Sequence, residues 1–131
     1  MIVLDHTTIP LATRHPALLA ITVSAPLDPR DRVVVPLLCL VPSLATGGAD
    51  SLADDLGALE GIDFAPLDFT AAHHIEQLVA AGTPWELGHA VHIVQASGPR
   101  AHDSYDSVVI TTMPNSYSAF PDVVAIDLTS F

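Results

Sequence analysis

Lysine is absent from this chain of 131 residues, and four arginines (Arg14, Arg30, Arg32 and Arg100) stand against 15 acidic residues, for a net charge of −11. A surface this acidic repels phosphate backbones, so unassisted nucleic-acid binding is disfavoured and basic partners such as an Arg-rich segment are favoured. The single cysteine, Cys39, excludes an intrachain disulfide and a cysteine metal cluster. It lies inside the apolar run VVVPLLCLV and reads as a buried, inert thiol. The longest apolar stretch, residues 33–41, is interrupted by Pro36 and falls well short of the roughly 20 residues a membrane span needs. The N-terminus MIVLDHTTIP has no basic segment ahead of a long apolar one, so a cytoplasmic protein without a membrane segment is expected. Gly47-Gly48 is followed by Ala-Asp rather than the Lys-Ser or Lys-Thr of a phosphate cradle, and no GxSxG nucleophile elbow occurs.

Half of the residues are apolar, enough for one core and too few residues in all for two comfortable domains, so residues 1–131 are read as a single domain. Ile2-Val3-Leu4 has the unbroken apolar character of a strand buried on both faces, and Asp5 ends it. Thr7 or Thr8 can cap the next segment, with one or two helical stretches expected within 11–24. Val33-Val34-Val35 predicts a second strand. Pro36 can open a helix that Pro42 interrupts or ends. Apolar residues at 52, 53, 56 and 59 predict an amphipathic helix over 50–59, and 62–67 a further core strand. Asp68 or Thr70 can cap a helix running to about Ala81, and Gly82-Thr-Pro separates it from another over 85–96. SVVITT at 107–112, a turn or short helix at 114–120 and a strand over 123–128 complete the pattern. This order predicts a three-layer α/β/α sandwich with a central parallel sheet.

Three places resemble the PIN domain family of metal-dependent nucleases, in its VapC-like toxin type and particularly the compact actinobacterial members. MIVLDHT resembles the family's apolar strand ending in Asp followed by Thr or Ser. VPLLCL is similar to the strand-to-helix step that leads to its second acid. WELGHAVHIVQASG, SVVITTMPNSY and the final strand resemble the helix, strand and turn that carry the remaining acids. The matches run in order over nearly the whole chain.

The resemblance implies a PIN-like fold with a Mg²⁺ or Mn²⁺ site built by three or four carboxylates at the strand ends, activating water to cleave RNA. Clustered acids are needed because a hard cation takes oxygen ligands and one carboxylate does not displace its water shell. Carried over by position, Asp5 matches the first acid. The second falls at Pro42 or Ser43, neither of them a carboxylate. Glu86 is the candidate for the third, and Met113-Pro114-Asn115 occupies the turn of the fourth. Asp5 and Glu86 are therefore the expected catalytic and metal-ligating residues, each with a structural alternative. Asp5 can cap the segment after the strand, and Glu86 suits the positive end of a helix dipole.

The histidines offer a separate route to metal binding. His89 and His92 share a helical face, with His6, Asp5 or Glu86 as a third ligand. The competing reading has His89 packed and hydrogen-bonded near the sheet end, His92 facing outward, and His73 and His74 in solvent. His102 with Asp103 and Asp106 forms a loop cluster that could take up a metal. Trp85 reads as a core or edge anchor rather than a base-stacking platform.

The expected function is that of a PIN-like protein with an impaired catalytic site, acting by protein binding, with a basic antitoxin-like peptide or a second copy as partner. The alternative is an active Mg/Mn-dependent endoribonuclease of a toxin–antitoxin pair, with RNA as substrate and non-standard partners for Asp5. A binding module of unrelated function on a similar sandwich is the third reading.

Overall fold

The computed structural model describes residues 1–24, 32–46, 52–97 and 107–130. Arg30, Gly47, Gly48, Arg100, His102, Asp103 and Asp106 lie outside the described residues. Five strands, β1 (Ile2–Leu4), β2 (Val33–Pro36), β3 (Ile62–Ala65), β4 (Val108–Thr111) and β5 (Val124–Asp127), form one sheet in the order β3-β2-β1-β4-β5. Every pairing is parallel, with Val3 opposite Val34 on one side and Val109 on the other. All four residues of β2 are buried, and Val3, Leu4, Val109 and Ile110 are at most 1% exposed, so both sheet faces are covered, as parallel sheets require.

The helices are α1 (Pro16–Ser24), α2 (Leu37–Thr46), α3 (Leu52–Gly57), α4 (Phe69–Ala80) and α5 (Trp85–Ala96). Single 3₁₀ turns lie at Ile9–Leu11, Pro114–Tyr117 and Leu128–Ser130. The expected α/β sandwich with a parallel sheet is therefore the observed fold. Among the described residues no helix is long and apolar enough to cross a membrane.

Some boundaries differ from the sequence reading for identifiable reasons. Pro36 is not the first residue of a helix but the last of β2, paired with Ala65, and the helix begins at Leu37. Pro42 lies inside α2 without ending it. The strand at 62–65 is an edge strand rather than a core one. Ile62 is buried while Asp63 and Phe64 are exposed, and Asp63 pairs with Arg32, the residue before β2. Asp68 does cap α4, its Oδ1 accepting from the Ala71 N–H at 2.8 Å. Thr8 stands at the start of the first 3₁₀ turn without capping it; its hydroxyl donates to the Ile110 carbonyl at 2.8 Å and ties the turn to β4.

Because β1 is central, the chain winds outward from it to β2 and β3, then returns across it to β4 and β5. The crevice beyond the carboxyl ends of β1 and β4 is the topological switch point of this sheet, where open α/β folds place their ligand sites.

Candidate functional site

Asp5 closes β1 at that switch point and is fully buried. Its Oδ1 accepts from the Thr7 N–H at 2.9 Å and the Thr7 hydroxyl at 2.6 Å, with the Thr8 N–H at 3.3 Å. Its Oδ2 accepts from the phenol of Tyr117 at 2.7 Å. Tyr117 belongs to the 3₁₀ turn after β4 and is only 2% exposed. These donors are neutral, so the carboxylate is held by hydrogen bonds that replace those it would make to water.

The surrounding groups extend this network along the strand ends. The Thr7 hydroxyl accepts from the Thr112 N–H at 2.9 Å and lies 3.2 Å from the Thr111 hydroxyl, which in turn accepts from the Met113 N–H at 3.0 Å. Asp5 is thereby the hub of a polar seam joining β1 to the turn after β4.

Ser43, one of the two positions where the resemblance expects a second acid, is buried, and its hydroxyl donates to the carbonyls of His6 and Cys39, both at 3.1 Å. The position thus borders the end of β1 and carries a hydroxyl there. Glu86 is half-buried in the first turn of α5, where its backbone carbonyl accepts from the Cys39 thiol at 3.3 Å. Met113 and Asn115 are exposed.

The electrostatics follow from burial. Desolvation and then the Asp5 charge push the Cys39 thiol up to about 12, so the thiolate is disfavoured and Cys39 is the inert residue the sequence suggests. Burial, followed by the same carboxylate as both charge and hydrogen-bond acceptor, holds the Tyr117 phenol well above its ordinary range. Tyr117 therefore stays a donor to Asp5. His6 Nδ1 is buried without a hydrogen-bond partner.

A Mg²⁺ or Mn²⁺ centre does not fit these residues. Asp5 has no solvent-facing oxygen, so a cation would have to displace Tyr117 or the threonines. Among the described residues no three His, Cys, Asp or Glu side chains are grouped so that they could hold a metal ion. The same finding removes the expected pairing of His89 and His92 with a third ligand. His89 is 1% exposed, and its Nδ1 accepts from the Leu38 N–H at 3.2 Å, the packed role foreseen for it. His92 does not face outward, and His74 is not in solvent: both are half-buried and their Nδ1 atoms lie 2.7 Å apart. The amphipathic pattern placed both on helices but could not show that α4 and α5 turn these faces toward each other. His73 is exposed, as expected, beside Phe69 and Gln77. Trp85 is 41% exposed, an edge position.

Comparison with solved structures finds a chain of the DNA-bound VapBC complex from Salmonella typhimurium, with a TM-score of 0.61 and 16% identity over 96% of each chain. The fold is PIN-like. No protein-family model matches the sequence, and no curated protein matches it. At this identity the likeness speaks for the PIN-like fold and leaves the chemistry to the residues themselves.

Tyr117 is the functional-site residue that the sequence reading missed. The resemblance directs attention to an acid in the turn MPNSY and away from its tyrosine, two residues beyond Asn115. No sequence pattern marks that tyrosine, because its contact with Asp5 depends on how the turn packs against the end of β1.

Proposed function

We propose that this PIN-like protein acts by binding a protein partner and not by cleaving RNA. The observation that carries the reading is Asp5, fully buried with both oxygens engaged by Thr7, Thr8 and Tyr117. A nuclease of this architecture needs that carboxylate open to a cation and joined by further acids, and Ser43 and the turn at 113–115 supply none.

Two further features support the binding role. Leu37, Val41 and Leu44 are 37%, 55% and 41% exposed and succeed one another at four- and three-residue steps, which aligns them on one face of α2. The chain carries a net charge of −11, which complements a basic partner. An apolar stripe on an acidic protein suits a basic amphipathic segment of the antitoxin type, a partner class in keeping with the VapBC likeness. A second copy of the chain could use the same stripe.

The test combines two assays on the purified protein. Incubation with a mixed RNA pool and Mn²⁺ is expected to give no cleavage above a protein-free control. Titration with an Arg-rich amphipathic helical peptide is expected to give saturable binding that Val41→Asp weakens at least tenfold. RNA cleavage abolished by Asp5→Asn would establish instead the endoribonuclease reading, with Glu86 as the second acid. Self-association lost in Val41→Asp, without peptide binding, would assign the stripe to a second copy.

A further inference from the structure

The α4–α5 hairpin holds a buried contact that the site at the strand ends does not use. Ile75 of α4 lies so close to Gly88 of α5 that a Cβ on Gly88 would sit 2.9 Å from the Ile75 Cγ2. One helical turn further along α5, His92 meets His74 with their Nδ1 atoms 2.7 Å apart. The ring centres are 5.0 Å apart, close to the separation of two imidazoles meeting head-on along a single N–H···N line. At that spacing one Nδ1 must carry a proton and the other must present its lone pair.

We propose that His74 and His92 form a one-proton latch that fastens α4 to α5 near neutral pH and opens when the pair takes up its second proton in mild acid. The donor ring can accept a proton at its far nitrogen, Nε2, and become an imidazolium. Its Nδ1–H then still points at the partner's lone pair, and the bond strengthens. The next proton must go to the accepting Nδ1 itself. Two N–H groups and two positive charges then face each other, and the contact breaks.

The groups around the pair set where this happens. Burial, followed by His74, lowers the proton affinity of His92, while Asp68 at the head of α4 opposes both. His89, the other histidine of α5, has its ring centre 6.4 Å from that of His92 and is itself kept neutral by burial. His73 and Glu76 of α4 are exposed, and His73 engages Phe69 and Gln77 instead. Release of α4 would uncover Ala71 and Ile75, which it buries against the body of the protein, next to Phe69, already 87% exposed. Acid would thus create apolar surface on this face.

Amide hydrogen exchange across the pH range 7 to 4.5, corrected for intrinsic rates, tests the latch. In the wild type, protection of residues 71–80 is expected to fall at least tenfold while that of β1 and β4 changes much less. His74→Asn places an amide near the Nδ1 position that can donate or accept at any pH, so it is expected to keep protection at pH 7 and abolish the selective loss in acid. His73→Asn should leave the loss intact. Protection of α4 that is insensitive to pH, that falls only in step with the sheet, or that falls equally in His74→Asn would overturn the proposal.

Discussion

The Tyr117 phenol donates a 2.7 Å hydrogen bond to Oδ2 of Asp5, joining residues 112 positions apart in the chain. It fastens the turn after β4 onto the end of β1 and covers the carboxylate that a PIN-type nuclease would turn toward a metal. Both oxygens of Asp5 are thus hydrogen-bonded, and the consequence is measurable as stability.

Tyr117→Phe removes the donor and leaves a carboxylate oxygen buried without it, at a cost of about 1–3 kcal/mol. Asp5→Ala leaves the Thr7 and Thr8 groups and the phenol without their acceptor and is expected to cost about 2–4 kcal/mol. Because the two residues touch, the double variant should lose less than the sum, by about 1 kcal/mol or more in a double-mutant cycle. Urea denaturation of the four proteins gives the values. Strictly additive losses would mean that the bond contributes nothing.

The pH dependence of stability has a defined sign. Burial, then the neighbouring His92, lowers His89 to about 4 from its ordinary 6.5. A folded-state value below the unfolded one means that the unfolded chain binds the proton first. Stability contributed by neutral His89 is complete above about pH 6.5 and is lost as the pH falls toward about 4, by about 3 kcal/mol in all. His89→Asn, which keeps an acceptor for the Leu38 N–H, should flatten this part of the curve. An unchanged slope in that variant would show that other groups carry it.

Gly61 lies between α3 and β3, where a Cβ would sit 2.0 Å from the Thr22 carbonyl oxygen of α1. That neighbour is backbone and cannot swing aside. Gly61→Ala is expected to destabilise by at least about 2 kcal/mol, measurable by thermal unfolding. A neutral substitution would show that α1 and this turn separate easily.

Cys39 is fully buried and its thiol is pushed up to about 12. Alkylation by iodoacetamide at pH 8 should therefore depend on global opening and run at least a hundredfold slower in the native protein than in urea. Rapid native labelling would place the thiol in an accessible cleft.

The sheet was legible in the sequence because its strands are short apolar runs punctuated by turn residues, and Ile2-Val3-Leu4 and Val33-Val34-Val35 have few other readings. The position of Asp5 at the end of β1 came from the same pattern. Phe64 shows the limit, since alternation alone does not tell an edge strand from a central one. Tyr117 and the His74–His92 pair were beyond reach for a related reason. Each depends on which faces two distant elements present to one another, and that is fixed by packing across the whole domain. The residue types at the positions where the resemblance expects acids, by contrast, can be read directly, and the structure adds that the Ser43 hydroxyl hydrogen-bonds the carbonyls of His6 and Cys39.

Calorimetric titration with Mn²⁺ tests the central claim, that Asp5 is a tether and not a metal ligand, most directly. The wild type is expected to show no saturable binding below millimolar concentrations, and Asp5→Asn to behave identically. Saturable binding in the wild type that disappears in a folded Asp5→Asn protein would contradict it.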